Sequence, residues 1–187
     1  VRRAVFLDRD GTLNEEVEYL HRIEDLRVLP GVADALRRLR GAAFLLVVVT
    51  NQAGIGRGYY DPRDAERLHR HLNRTLERNG AGIDSFYFCP YHPEAKLERY
   101  RGESPDRKPA PGMLLRASRE HDIDLARSFM VGDHEKDVEA GRAAGCRTVL
   151  VGTGYGVRFR DRARYDHFAA DLPAAADWIL SCPDREP

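Results

Sequence analysis

The chain has 187 residues and equal numbers of basic and acidic side chains, thirty of each, so its formal net charge is zero; 42% of its residues are hydrophobic and 32% are charged. That length suits one domain with a sizeable core, and the balanced charge, with no basic run, lacks the electrostatic footprint of a nucleic-acid binder. No apolar stretch approaches a membrane-spanning helix, and the scattered Cys89, Cys146 and Cys182 are too few for a disulfide framework.

Arg2 and Arg3 precede only a short apolar stretch, which is not the pattern of a signal peptide. A reduced, cytoplasmic setting is therefore expected. No exposed apolar stripe is evident, so a monomer without membrane or nucleic-acid partners is expected.

In chain order, Ala4–Leu7 reads as a short buried strand that runs straight into "DRDGT". Pro30-Gly31 punctuates, and "VADALRRLR" puts Val32, Ala35, Leu36 and Leu39 on one helical face. Ala43–Thr50 is a near-continuous apolar run, as expected of a strand covered on both faces. "NQAGIGRG" reads as a loop. Asp61-Pro62 then opens a helix with an N-cap candidate and proline at the first position. It carries Leu68, Leu72 and Leu76, with His69 and His71 expected on its exposed side, and Asn79-Gly80 ends it.

"IDSFYFC" alternates like a strand near a sheet edge. From Pro90 to Pro111 the chain is irregular and rich in proline and charge, long enough to suggest a functional insertion of about 90–111. Pro111 starts another helix, "SFMVGD" ends a strand on Asp133, "EKDVEAGRAAG" forms a small-residue helix and "RTVLVGTG" a further strand. "LPAAADWIL" closes as a helix with Trp178 and Leu180 packed inward. Strands alternating with helices predict an α/β, doubly wound, mostly parallel sheet, spanning 1–187 as a single domain.

Ligands of such sheets bind beyond the carboxyl ends of the strands, where Asp8, Thr50 and Asp133 all fall. Asp8 and Asp10 share a face if the backbone is extended. Joined by Asp133 and by Asp137, they predict an oxygen-rich cavity suited to Mg²⁺, which offsets the repulsion between neighbouring carboxylates. One carboxylate can still attack phosphorus, and Asp10 can protonate a leaving alkoxide and then deprotonate water. Gly11 and Thr12 fit a tight turn with backbone N–H groups facing an anion. Thr50 offers a hydroxyl, and Arg107 and Lys108 bring the positive charge that a phosphoryl transition state requires.

"DRDGT", the strand-end Thr50, Lys108 and "GDHEKD" together resemble the four motifs of haloacid-dehalogenase-type phosphatases, over residues 4 to 155. "TNQAGIGRG", "CPYHPE" and "RKPAPGM" look more narrowly like the branch that contains D-glycero-D-manno-heptose 1,7-bisphosphate phosphatases and histidinol-phosphate phosphatases. The resemblance implies a Rossmann-like fold without a large cap domain. It implies Asp8 as the nucleophile that forms an aspartyl-phosphate and Asp10 as general acid/base and backbone-carbonyl Mg²⁺ ligand. Thr50, Arg107 and Lys108 are implied to hold the phosphoryl group, Asp133 to ligate the metal and Asp137 to support it. Glu16, Val17, Glu18 and Tyr19 and the loop residues Asn51, Gln52, Ala53 and Arg57 are implied to meet the sugar or a second phosphate; His134, which stands where the heptose enzymes tend to have lysine, is expected beside them.

That family often carries a structural zinc held by Cys-x-His and Cys-x-Cys pairs. Here the first segment is Cys89-Pro90-Tyr91-His92 and the second reads Ser104-Pro105-Asp106. A closed site needs four ligands, so no zinc is expected, and packing and prolines are left to hold the loop. The resemblance implies removal of the 7-phosphate of a heptose 1,7-bisphosphate. Histidinol-phosphate hydrolysis, polynucleotide 3′-phosphatase activity and an inactive sugar-phosphate-binding module stand as alternatives.

Overall fold

The structure, a computed structural model, describes residues 1–183. Six strands pair in parallel in the order β3-β2-β1-β4-β5-β6, where β1 is Arg3–Leu7, β2 Phe44–Asn51, β3 Ser85–Cys89, β4 Phe129–Gly132, β5 Arg147–Val151 and β6 His167–Ala169. The helices between them are α1 (Val32–Gly41), α2 (Ala53–Gly56), α3 (Pro62–Glu77), α4 (Gly112–His121), α5 (Glu135–Ala144), α6 (Gly156–Phe159) and α7 (Leu172–Ser181). From β1 the chain winds outward through β2 to β3, then returns to lay β4 against the other side of β1. The order therefore reverses between β1 and β4, and a crevice opens at their carboxyl ends.

Alternation along β1 explains the two layers of core. Val5 and Leu7 face a cluster with Leu36 and Leu39 of α1, Leu72 and Leu76 of α3, and Ile179 of α7. Ala4 and Phe6 face the other, with Met113 and Leu114 of α4 and Ala140 of α5. Both faces of the strand are thus covered, which is why β1 and β2 read as continuous apolar runs. The α1 stripe of Val32, Ala35, Leu36 and Leu39 is buried as its spacing predicts. Asp61 caps α3 by accepting from the Asp64 backbone N–H, and Asp64 returns the bond.

Several elements depart from expectation. The "NQAGIGRG" stretch holds the short helix α2 rather than a plain loop. α6 and β6 were not legible, being four and three residues long. Trp178 and Leu180 are half-buried at the rim of the core, where the indole stacks on His167 with 4.7 Å between ring centres. His69, expected on the exposed side of α3, is only 4% exposed. It falls on the stripe of Ala65, Leu68, Leu72 and Leu76, whose helical phase outweighs the polarity of the ring. His71 is exposed as expected.

The stretch between β3 and α4 is irregular apart from one 3₁₀ turn at Glu98–Tyr100. Its backbone is tied internally by Arg101, whose Nε and Nη2 donate to the carbonyls of Ala95 and Lys96 at 2.8 and 3.1 Å. Tyr91 meets Tyr100 edge-on, and Leu97 N–H donates to the Gly56 carbonyl of α2 at 2.9 Å. No helix among the described residues is long and apolar enough to cross a membrane.

Candidate active site

Parallel pairing brings three strand ends to one rim: Asp8 follows β1, Thr50 lies in the last residues of β2, and Asp133 follows β4. Asp137 lies in the first turn of α5, where its Oδ2 accepts from the His134 backbone N–H at 3.0 Å and completes a reciprocal cap. Asp8, Asp133 and Asp137 each place one carboxylate oxygen within 4.8 Å of the others, the one such cluster of three or more candidate ligands among the described residues. Together they line a cavity of about 320 Å³ that also takes in Asp10, Glu16, Glu18, Tyr19, Thr50, Asn51, Gln52, Ala53, Arg107, Lys108 and His134.

Electrostatics within the cluster are severe. Burial, reinforced by Asp137, pushes the Asp8 carboxyl up to about 6 although Lys108 opposes it. Burial, then the charges of Asp8 and Asp137, also pushes Asp133 up, while the Tyr155 backbone N–H at 2.8 Å pulls the other way. Lys108 answers part of this charge. Its Nζ donates to Asp8 Oδ1 at 2.7 Å and to the Val49 carbonyl at 2.8 Å, and lies 2.6 Å from Asp137 Oδ1. Burial alone would lower the lysine, but Asp137 and Asp8 outweigh it and hold the ammonium protonated. Three hard oxygen donors with surplus negative charge after one lysine are suited to a divalent cation such as Mg²⁺.

Lys108 enters from the irregular segment because Asn51 clasps its backbone: Asn51 Nδ2 donates to the Lys108 carbonyl and Asn51 Oδ1 accepts from its N–H, both at 3.0 Å. Arg107 is half-buried, and its Nη1 donates to the Tyr91 carbonyl at 3.0 Å. Gln52 donates to Thr50 Oγ1 at 2.9 Å and to Asp10 Oδ2 at 3.2 Å, and accepts from the Tyr60 hydroxyl. The predicted catalytic residues therefore share one cavity.

Two geometric expectations fail. Asp10 does not extend Asp8 into a shared carboxylate face, because the chain turns after Asp8. Its carboxylate lies outside the acidic cluster and accepts from Arg9, Asn14 and Gln52. The N–H groups of Gly11 and Thr12 do not face an anion either, since they donate to the carbonyls of Asn14 and Arg9. Gly11 is required for a different reason. It sits at φ +79°, and a Cβ there would collide with the Asp133 carboxylate.

The expected substrate-contacting residues divide. Glu16 is half-buried, and burial, with Asp10 and Asp8 near, raises its carboxyl to about 7. Val17 is 38% exposed and Arg57 lies beside the Tyr19 ring, 5.8 Å from its centre; neither lines the cavity. His134 reaches the cavity wall, yet its Nδ1 accepts from the Lys136 N–H and its ring lies on Phe159. Burial, then Lys136, lowers its pKa, against Glu135 and Asp8. Lys136 and Tyr155, not anticipated from the sequence, line the same cavity. Cys89 and His92 join no cluster of three candidate ligands among the described residues, and His92 Nδ1 already accepts from the Glu94 N–H.

A family model described as HAD-hydrolase-like matches residues 106–175. The chain is 46% identical to the D-glycero-D-manno-heptose-1,7-bisphosphate 7-phosphatase of Thermosynechococcus vestitus, with 96% of each chain covered. It is 42% identical to the D-glycero-beta-D-manno-heptose-1,7-bisphosphate 7-phosphatase of Yersinia pestis, covering 95% of this chain and 89% of that one. The corresponding alpha enzyme of Burkholderia mallei is 46% identical over 80% of this chain and 79% of its own. Among solved structures, the D,D-heptose 1,7-bisphosphate phosphatase of B. bronchiseptica, complexed with magnesium and phosphate, has a TM-score of 0.85 at 32% identity, covering 95% and 98% of the two chains.

Proposed function

Because the chain belongs to the haloacid-dehalogenase-like phosphatases, in the family of the heptose-1,7-bisphosphate 7-phosphatases, we propose that it removes the 7-phosphate of a D-glycero-D-manno-heptose 1,7-bisphosphate through an aspartyl-phosphate on Asp8. The observation that carries this reading is the meeting of Asp8, Asp133, Asp137 and Lys108 at the reversal point of the sheet.

Asp8, Asp133 and the backbone carbonyl of Asp10 would hold Mg²⁺, with Asp137 beside them. Bound there, the ion supplies charge neutralisation that lets an anionic carboxylate approach an anionic phosphoryl group. Thr50 and Lys108 donate to the phosphoryl oxygens, and Arg107 adds charge at the cavity wall. Asp8 attacks phosphorus, the sugar alkoxide leaves and Asp10 supplies its proton. Asp10 then takes a proton from the water that hydrolyses the aspartyl-phosphate. Glu16, Glu18 and Tyr19 present acceptors and an aromatic edge to sugar hydroxyls. Arg107 and Lys136 are the cations on the cavity wall available to a second phosphate, with Arg57 further out beside Tyr19. The same reading gives the 90–106 segment no structural zinc, supported by the Arg101 clamp on its carbonyls, and makes the protein a cytoplasmic monomer without a nucleic-acid partner.

The test is turnover of both heptose bisphosphate anomers and of histidinol phosphate by the purified protein. The expected result is a kcat/KM at least about tenfold higher for one heptose bisphosphate, a preference of roughly 1.4 kcal/mol. A preference for histidinol phosphate would overturn the substrate assignment. Chelation with EDTA should abolish turnover and Mg²⁺ restore it. Turnover persisting in metal-free protein contradicts the role given to the acidic cluster. Asp10→Asn should lower kcat on sugar phosphates by about 10²–10⁴-fold, the usual contribution of general acid–base catalysis, and steady-state kinetics reads this directly.

A further inference from the structure

Arg9 sits between the two aspartates of "DRDGT" and is completely buried, with 0% of its side chain exposed. A guanidinium has five N–H donors and no acceptor, and is charged at all accessible pH. Each donor buried here therefore needs a partner. Asp10 takes three bonds: Nη2 to both carboxylate oxygens at 2.9 Å and Nε to Oδ1 at 3.2 Å. Nη2 also approaches the Leu20 carbonyl at 3.4 Å. On the far side, Nη1 lies 3.0 Å from Nε2 of His69.

Since arginine can only donate, His69 Nε2 must accept, which fixes the ring as the neutral tautomer with its proton on Nδ1. The surroundings agree. His69 is 4% exposed, its ring stacks on Phe86 at 4.9 Å and meets Phe88 edge-on at 5.8 Å, and burial together with Arg9 pushes its pKa well below the ordinary value. α3 and β3 thereby hold an imidazole that has no contact with the cavity at the strand ends. The proposed mechanism makes no use of it.

We propose that His69 is a positioning residue. As a neutral acceptor it fixes the guanidinium of Arg9, and Arg9 in turn fixes the direction of the Asp10 carboxylate toward the leaving group and the attacking water. This rests on the reading of Asp10 as general acid/base. Asn14 and Gln52 hold the Asp10 carboxylate from its other side; without the His69 acceptor a buried Arg9 donor is left unpartnered, and the guanidinium and the Asp10 carboxylate bonded to it shift from their set direction. A purely structural histidine would instead affect every substrate alike.

Leaving groups separate the two cases. A sugar alkoxide needs its proton from Asp10 as the bond breaks, whereas p-nitrophenolate leaves readily without one. The comparison is kcat/KM, which reports the steps through phosphoryl transfer to Asp8, for heptose bisphosphate and for p-nitrophenyl phosphate. His69→Phe keeps the stacking and removes the acceptor; His69→Gln keeps an acceptor. The expected result for His69→Phe is a loss of roughly tenfold or more on the sugar phosphate, with at most about a twofold change on the aryl phosphate. His69→Gln should restore most of the loss, and His69→Phe should cost little more when added to Asp10→Asn. Equal losses on the two substrates, no loss in His69→Phe, or full additivity with Asp10→Asn would each overturn the proposal. Should the phenylalanine variant fail to fold, His69→Met replaces it in the same comparison. Wild type and Asp8→Asn run alongside: a wild type inactive on the sugar phosphate, or an active Asp8→Asn, is a failure of the phosphatase reading and not of the His69 assignment.

Discussion

Asp8→Asn abolishes phosphate release, with kcat falling by an expected 10⁴–10⁶-fold, on the order of the loss seen when a covalent nucleophile is removed. The substitution is nearly isosteric, and the amide cannot form the acyl phosphate. It also removes one of three crowded carboxylates, so the part of the Asp133 shift that Asp8 adds to burial is relieved, and the fold should be kept. Lys108 retains its contact with Asp137 at 2.6 Å and with the Val49 carbonyl. Circular dichroism and thermal melting should match the wild type to within a few degrees while turnover vanishes. A variant that keeps even a hundredth of the activity contradicts the assignment.

Lys108→Ala is expected to act on both activity and stability. The ammonium is the cation that the described structure places between Asp8 and Asp137. Preorganised charge aimed at a transferring phosphoryl group is worth about 10²–10³-fold in kcat when one donor is lost, and a loss of that size is expected here. Breaking a buried ion pair from one side strands its partner and costs about 3–5 kcal/mol. Chemical denaturation without divalent metal should show a loss of that order. Mg²⁺ should then stabilise the variant more than the wild type, because it enters a cluster whose charge nothing else offsets. Unchanged stability and unchanged turnover would show that Lys108 is a bystander.

The fold was legible wherever burial imposes a period. β1, β2 and the α1 stripe follow from apolar runs and 3.6-residue spacing, and the Asp61-Pro62 start of α3 follows from capping chemistry. The misses are short or polar. α2 and α6 have four residues and β6 has three, too few to display a period. His69 is expected on the exposed side of α3, although its phase there matches the buried leucines. The signal that could have found it was that phase, together with an arginine enclosed between two aspartates that had to find partners.

For the site, strand-end positions made Asp8, Thr50 and Asp133 visible, and the Arg-Lys pair and "GDHEKD" followed from charge and spacing. Three features were not visible, because each depends on a turn that propensity does not specify. One is the departure of Asp10 from the acidic cluster into the grip of Arg9, Asn14 and Gln52. Another is the use of the Gly11 and Thr12 N–H groups within their own turn. The last is the Asn51 clasp that delivers Lys108 across fifty-seven positions of sequence.

The most direct test is chemical capture of the phosphorylated enzyme. Protein mixed with its substrate and Mg²⁺ is acid-quenched within one turnover, reduced with borohydride, digested and sequenced by mass spectrometry. An acyl phosphate at the end of β1 is reduced to the alcohol, so residue 8 should read as homoserine in samples quenched during turnover and as aspartate in those without substrate. Reduction at any other carboxylate, or none while phosphate accumulates, would contradict covalent catalysis by this side chain.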